Sequence, residues 1–280
     1  MYRCRETVFK EKNGNEIFIR KTIFKTYYIR TPKILVCGYI GVGVKMSDQI
    51  TFTIDGIEVK GKAGQTILQA ADEAGIYIPR LCYHPELVPH GSCRICTVLV
   101  NGKPQTACTQ PIADGMTVEN DTQELKEHRR NLIDMLFIEG NHFCMFCEKS
   151  GNCELQAMAY RLGILSPKYP YLYPKKDVDS THPDIFLDLA RCILCGRCVE
   201  ASRDVDGKGV FEFAGRSIEK KITVNAEAYL KDTDLAVTDK AADVCPVGTI
   251  NKKRTAFAVP IGKRLYDSKP IGSEIEERKK

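Results

Sequence analysis

The 280-residue chain is 43% apolar and 28% charged, which is enough apolar sequence for two or three small domains with buried cores. Its formal net charge of +5 comes from residues 1–45, where ten Lys and Arg face three acidic residues, leaving 31 basic and 33 acidic residues elsewhere. A body so close to neutral gives no argument for nucleic-acid binding. No stretch reaches the roughly 18 apolar residues of a membrane span.

The first 45 residues differ from the rest of the chain. Their opening 25 residues alternate charged and apolar positions and contain no apolar run of the kind that a secretion signal needs. Met46 opens a segment, MSDQITFTIDG, that resembles a natural protein start. We therefore predict that residues 1–45 are an N-terminal extension, disordered or non-native, that Met46 is the true initiator, and that the protein is cytoplasmic. In a reducing compartment, clustered cysteines indicate metal ligands rather than disulfides.

The elements after Met46 begin as a small mixed sheet with one helix. Asp55-Gly56 and Asn101-Gly102 each separate two alternating segments, so both are predicted hairpin turns. Between them, Thr66 and Gln69 have the spacing of a capping box, and the apolar residues that follow recur at helical intervals. A last short strand is predicted near residue 120.

Two helices and an extended stretch come next. One helix is predicted to start at Asp121-x-x-Glu124 and to end at Gly140, and a second to follow Cys153. Residues 164–189 are rich in Pro, Tyr and charge, which predicts an extended crossing and a domain boundary. Beyond it we expect a hairpin within GVFEFAGRSIEKKITVN and a short helix capped by Thr238.

Eleven of the thirteen cysteines fall into three sets, and only Cys4 and Cys37 remain outside them. The first set has the spacing C-x10-C-x2-C-x11-C, and four thiolates are what a [2Fe-2S] cluster requires. With Asn101-Gly102 as the turn, residue 96 faces residue 107, so the last two cysteines of the set meet. A structural zinc ion is the alternative for four thiolates. The set consists of Cys82, Cys93, Cys96 and Cys108.

The second set consists of Cys144, Cys147 and Cys153, spaced C-x2-C-x5-C. Three cysteines leave a [4Fe-4S] cluster one ligand short, and an imidazole can complete it. His142, two residues ahead, is the predicted fourth ligand. His128, on the preceding helix, is the rival.

The third set has the spacing C-x2-C-x2-C followed by a remote cysteine before proline, which is typical of bacterial ferredoxins that bind [4Fe-4S] clusters. Zinc sites favour two separated C-x2-C pairs instead. A single such run predicts one cluster. The set consists of Cys192, Cys195, Cys198 and Cys245.

The order of these motifs resembles the diaphorase iron-sulfur (gamma) subunit of NAD-reducing [NiFe] hydrogenases. The motifs that carry the resemblance are the first cysteine spacing, NHFCMFCEKSGNCELQ, RCILCGRCV and CPVGTI, and the likeness runs from Met46 to about Tyr266. Related arrangements open the large iron-sulfur subunit of complex I, NAD-linked formate dehydrogenases and [FeFe]-hydrogenases. In complex I and [FeFe]-hydrogenase relatives the histidine precedes the first cysteine by four residues, where this chain has Gly140. His142 matches the NHxC pattern of the hydrogenase subunits instead.

This resemblance implies an α+β protein with three cluster domains. It implies a β-grasp [2Fe-2S] ferredoxin domain over residues 46–121 and a helical [4Fe-4S] domain with one His and three Cys ligands over 122–165. A ferredoxin-like [4Fe-4S] domain would follow over 166–262, and a charged C-terminal tail over 263–280.

The resemblance also implies partners. A flavoprotein diaphorase subunit would carry FMN and react with NAD, and the small and large subunits of a [NiFe] hydrogenase would bind at the other end. The chain would relay electrons without a catalytic residue of its own, since no acid-base or nucleophilic constellation stands out and no further catalytic domain follows the last cysteine. The equivalent subunit of a formate dehydrogenase or a complex I-like NADH dehydrogenase remains open, as does a zinc-stabilised binding module.

Overall fold

The computed structural model describes residues 6–10, 16–20, 49–173 and 175–279. Contacts divide the chain into two compact units, Met1–Met46 and Ser47–Lys280. In the first unit, strands β1 (Glu6–Lys10) and β2 (Glu16–Arg20) pair antiparallel. The predicted initiator Met46 and the two cysteines outside the sets, Cys4 and Cys37, lie outside the described residues.

The second unit contains ten strands and six α-helices among its described residues. The strands are β3 (Gln49–Ile54), β4 (Ile57–Lys62), β5 (Thr97–Val100), β6 (Lys103–Thr106), β7 (Thr117–Glu119), β8 (Val178–Asp179), β9 (Ile185–Asp188), β10 (Phe211–Ala214), β11 (Lys221–Val224) and β12 (Ile250–Lys252). The α-helices are α1 (Ile67–Glu73), α2 (Gln123–Ile138), α3 (Glu154–Arg161), α4 (Arg197–Glu200), α5 (Lys240–Asp243) and α6 (Ser273–Glu276).

Five strands form a mixed sheet in the order β4-β3-β7-β5-β6, in which β3 and β7 run parallel and the other neighbours antiparallel. The predicted hairpin turns are confirmed, since Asp55 and Asn101 adopt positive φ together with the glycines that follow them. The predicted capping box at Thr66 also forms. Apolar side chains of α1, including Ile67 and Leu68, are fully buried in the core beneath the sheet. One helix across a five-stranded mixed sheet is the predicted β-grasp arrangement.

Helices α2 and α3 flank the loop that carries the second cysteine set. The predicted helix start was misplaced by one residue, because Thr122 rather than Asp121 accepts the hydrogen bond from the Leu125 amide that caps α2. Helix α3 begins directly after Cys153, and Gly163 follows its end with positive φ.

The rest of the chain builds a three-stranded antiparallel sheet, in the order β12-β9-β8, and the predicted hairpin, whose strands are β10 and β11. Strand β9 lies inside the stretch for which only an extended crossing was predicted, and Ile185 there is fully buried. The predicted cap at Thr238 is wrong: helix α5 has Asp239 at its N-cap position.

One hydrophobic core spans α2, α3, the three-stranded sheet and the C-terminal residues. Ile271 and Ile275 are each 6% exposed, and Arg161 donates a 2.8 Å hydrogen bond to the carbonyl of Ile271. The segment predicted as a charged tail therefore packs against α3. In the described ranges of the chain, none of the helices has the length and apolar character to cross a bilayer.

Candidate metal centres

The first set gathers at one end of the five-stranded sheet. The amide of Cys82 lies 3.4 Å from the Cys93 sulfur, and the amide of Cys93 lies 3.5 Å from the Cys82 sulfur. Ala107 donates to the Cys96 carbonyl at 3.1 Å, so the predicted register is confirmed and Cys108 reaches Cys96. The Cys108 and Cys93 side chains hydrogen-bond to Cys82 and lower its pKa. All four predicted side chains are thus within mutual reach.

The second set surrounds the start of α3. Cys144 begins a short 3-10 turn that ends at Phe146, and Cys153 occupies the N-cap position of the helix. Burial raises the pKa of Cys153 to about 12, and Cys147 and Cys144 are near enough to raise it further. The partial positive charge at a helix N-terminus stabilises a negatively charged sulfur. Binding of a cation would therefore deprotonate Cys153 to a thiolate that the N-terminus of α3 also stabilises.

The two candidate histidines have opposite surroundings. His128 is exposed on α2. His142 lies beside Cys144, and its Nε2 atom is buried without a hydrogen-bond partner. Burial lowers the pKa of His142 to about 4, and the nearby Arg191 charge lowers it further. A neutral imidazole with a buried nitrogen that has no hydrogen-bond partner has the form of a metal ligand.

Position 140 explains how His142 fits. A Cβ atom on Gly140 would lie 2.3 Å from His142 Nε2. The imidazole of residue 142 therefore fills the space that a side chain at residue 140 would enter, which is the position of the histidine in the complex I pattern.

The third set encloses a small cavity. All four of its cysteines line this space, together with Leu187, Ile222, Val247 and Ile250. Burial raises the pKa of the Cys192 thiol to about 11, and the Leu194 amide lies 3.4 Å from its sulfur. An apolar cavity that is lined by four cysteines suits a group that is bound through thiolates alone.

The second and third sets are joined by two ion pairs. Glu148 follows Cys147 and pairs with Arg191, which precedes Cys192. Arg191 also donates to the Cys147 sulfur at 3.7 Å. In the same way, Glu154 follows the last cysteine of the second set and pairs at 2.6 Å with Arg197, which precedes the last cysteine of the C-x2-C-x2-C run.

The first set also approaches the third. A Cβ on Gly196 would lie 2.9 Å from Nε2 of His90, which belongs to the loop between Cys82 and Cys93. Glu86 of that loop pairs with Lys240 at 2.7 Å. Contacts therefore run from the first set to the third and from the third to the second.

The arginines and glutamates around the cysteines were not predicted from the sequence. The dipeptides Cys-Glu in the second set and Arg-Cys in the third were the available signal, because charges adjacent to buried sulfurs need partners. A third arginine, Arg129, is buried on α2. The sequence feature that could have indicated its burial is a charged residue at a position where the helical pattern predicts an apolar one.

The arrangement of the sulfurs bears on the zinc alternative. Zinc sites favour two separated C-x2-C pairs, whereas the third set has the C-x2-C-x2-C run and the remote Cys-Pro that are typical of [4Fe-4S] proteins. All four cysteines of that set line one apolar cavity. The fold and the three sets define an iron-sulfur electron-transfer protein.

Comparisons with known proteins agree with this class. Residues 47–123 match a model described as 2Fe-2S iron-sulfur cluster binding domain, and residues 129–168 match the NADH-ubiquinone oxidoreductase-G iron-sulfur binding region. Residues 185–251 match the 4Fe-4S single cluster domain.

The gamma subunit of the NAD-reducing hydrogenase HoxS of Cupriavidus necator is 40% identical over 229 residues, which cover 81% of this chain and 97% of that protein. A chain of a solved NAD+-reducing [NiFe]-hydrogenase is 45% identical, with a TM-score of 0.79, and the match covers 82% of this chain and 98% of that one. The chain belongs to the family of NAD-reducing hydrogenase gamma subunits, and it is an electron-transfer subunit that carries iron-sulfur domains.

Complex I proteins are more distant relatives. The 78 kDa subunit of NADH-ubiquinone oxidoreductase from Candida albicans is 32% identical over 237 residues, covering 83% of this chain. The related NADH-quinone oxidoreductase subunit of Rickettsia typhi is 32% identical over 213 residues, covering 74% of it. This chain spans 32% and 31% of their lengths, so the likeness is to one part of each.

Proposed function

We propose that the chain relays electrons between an FMN-containing flavoprotein that reacts with NAD(H) and the small and large subunits of a [NiFe] hydrogenase. It does so through one [2Fe-2S] and two [4Fe-4S] clusters in the cytoplasm. The proposal is carried by the grouping of all eleven described cysteines, none of them in a disulfide, into three sets, of which the third is in contact with the surroundings of the other two. The chain belongs to an oxidoreductase complex without performing the catalytic step.

The proposed ligands follow from the chemistry of each set. Four thiolates are available in the first and third sets, and three thiolates with one neutral imidazole in the second. When bound, such clusters accept and release one electron at a time. The [2Fe-2S] ligands are Cys82, Cys93, Cys96 and Cys108; the [4Fe-4S] ligands are His142, Cys144, Cys147 and Cys153 in one site and Cys192, Cys195, Cys198 and Cys245 in the other.

The protein itself holds these groups and keeps them from water. Burial of the third set among Leu187, Ile222 and Ile250 excludes solvent from the sulfurs. Hydrogen bonds from backbone amides and from Arg191 to sulfur favour the thiolate form and adjust the potential. Because NAD takes two electrons and each cluster takes one, the flavin of the partner converts between the two.

Our domain proposal keeps residues 1–45 as an extension before three cluster domains, 46–121, 122–165 and 166–262. Residues 263–280, which the sequence predicts as a charged tail, are a C-terminal segment that packs against α3.

Reconstitution with a diaphorase tests the proposed partner. The cluster-loaded chain is mixed with the flavoprotein subunit of a relative's hydrogenase, and NADH is added while the visible absorbance of the clusters is followed. We expect bleaching only when the flavoprotein is present. Bleaching by NADH in the absence of the flavoprotein, or no bleaching in its presence, would contradict the proposed path of electron transfer.

The metal content of the native complex identifies the partner that exchanges electrons with the chain on the side opposite the flavoprotein. Nickel in the purified complex supports the hydrogenase assignment. Molybdenum would assign the chain to a formate dehydrogenase, and a complex without either metal to a complex I-like enzyme.

A further inference from the structure

Helix α2 buries a charge on its inward face. Arg129 lies four residues after Leu125 and four before Ile133, and all three side chains are buried, with 3% of Arg129 exposed. Burial lowers the pKa of Arg129 to about 10, which leaves the guanidinium charged at neutral pH. A charge in such a place needs compensation.

The hydrogen bonds from this guanidinium go to neutral oxygens. Nε donates to the Ile95 carbonyl at 3.1 Å, and Nη2 donates to the Thr97 carbonyl at 3.0 Å. Nη1 and Nη2 donate to the backbone and side-chain oxygens of Asn120, both at 2.8 Å. No carboxylate among the described residues comes within ion-pairing distance, and the exposed Asp55 and Asp121 act only at longer range.

The acceptors indicate which anion balances the charge. Ile95 and Thr97 are the neighbours of Cys96 on either side, so the guanidinium contacts the peptide units that flank a cysteine of the first set. Cys96 is 1% exposed, and its sulfur is the group that most strongly favours the charged form of Arg129. Both side chains are buried, so solvent screens their interaction only weakly.

We infer that Arg129 is the counter-charge of the first cysteine set and raises the midpoint potential of the [2Fe-2S] cluster proposed there. The inference rests on the proposed function, because it requires that cluster. Four thiolates around the oxidised cluster give an overall charge of about −2, and reduction by one electron makes it about −3. A fixed, buried positive charge stabilises the reduced form more than the oxidised form. Because Arg129 belongs to α2, the helix that follows the β-grasp domain raises the midpoint potential of the cluster in that domain.

Two variants test the charge by different routes. Arg129→Gln removes the positive charge and keeps hydrogen-bond donors. Asn120→Asp keeps the arginine and places a carboxylate at an atom that already accepts from it. Arg130→Gln is the matched control, since the neighbouring arginine is exposed and donates to the carbonyl of Leu162 at 2.7 Å. The measurement is an EPR-monitored redox titration of the cluster-loaded chain, with iron determined on each sample.

We expect both Arg129→Gln and Asn120→Asp to shift the [2Fe-2S] midpoint potential to more negative values than wild type and Arg130→Gln, with the [4Fe-4S] potentials unchanged. Arg129→Lys keeps the charge and is expected to stay near the wild-type potential even if its thermal stability falls. Unchanged potentials in the two test variants would overturn the inference, as would an Arg129→Lys potential as low as that of Arg129→Gln. If Arg129→Gln does not fold, the [2Fe-2S] midpoint potentials of Asn120→Asp and Arg129→Lys decide whether the inference holds. A wild-type chain without a [2Fe-2S] signal would instead sink the proposed function.

Discussion

Arg197 and Glu154 form a two-point ion pair, with Nη1 and Nη2 each 2.6 Å from a different carboxylate oxygen. The Arg197 side chain is 4% exposed and that of Glu154 is 24% exposed. Because Glu154 follows Cys153 and Arg197 precedes Cys198, the pair connects the second and third sets. The planar fork of arginine suits this geometry better than a lysine would.

Glu154→Gln is predicted to destabilise the region between these sets. The substitution keeps the shape of the side chain but leaves the Arg197 charge buried and uncompensated, which costs roughly 3 kcal/mol of unfolding free energy. Urea unfolding of the cluster-loaded chain, followed by circular dichroism and visible absorbance, measures the change.

Glu200→Gln is the control for that experiment. Glu200 pairs with Arg203, whose side chain is 57% exposed, so this pair is screened by solvent and contributes far less. Equal losses in the two variants would show that the buried pair has no special role.

His142→Ala is predicted to lose the cluster of the second set, because the free imidazole nitrogen at that site disappears. Iron analysis should fall by about four atoms per chain, and the first and third sets should keep their EPR signals. His128→Ala, at an exposed position of the preceding helix, should retain all its iron. Loss of iron in His128→Ala with retention in His142→Ala would reverse the assignment.

The double variant Gly140→His/His142→Ala is predicted to regain the lost iron. A side chain at residue 140 would enter the space that the His142 imidazole occupies. When that imidazole is removed, the atom nearest to a Cβ on residue 140 is the Ala190 carbonyl oxygen, at 3.2 Å. Recovery of the four irons, measured beside each single variant, supports a shared ligand position. A double variant no better than His142→Ala would refute it.

Gly248→Ala is predicted to impair the second set although residue 248 follows the last cysteine of the third. A Cβ there would lie 2.8 Å from the Cys147 sulfur and 3.3 Å from Arg191 Nη1. A sulfur bound to iron cannot turn away, so we expect loss of that cluster by EPR and iron analysis. Gly61→Ala is the control: its Cβ would meet the Ile112 side chain at 2.5 Å in the first domain, and the second-set signal should survive.

Local signals allowed the sequence to predict much of the fold. Asp55-Gly56 and Asn101-Gly102 determine their turns through a few adjacent residues, and the hairpin register then brings Cys96 and Cys108 together. The cysteine spacings likewise revealed the three sets.

Features that depend on tertiary packing were not predictable in this way. Strand β9 forms because Ile185 and Leu187 pair with β12, more than 60 residues away, and no nearby residue indicates that pairing. The same holds for the carbonyl of Thr97 that accepts from Arg129 and for the carboxylate of Glu154 that pairs with Arg197, which lie 32 and 43 residues away. The N-cap of α5 was misplaced because Thr238 and Asp239 are adjacent and both residue types favour the N-cap position, so the sequence does not show which of them begins the helix.

We predict that the three sets hold one [2Fe-2S] and two [4Fe-4S] clusters. Iron and acid-labile sulfide, determined together on anaerobically purified chain, test it most directly. We expect about ten iron and ten sulfide per chain. A colourless protein that contains zinc and releases no sulfide in acid would contradict the account.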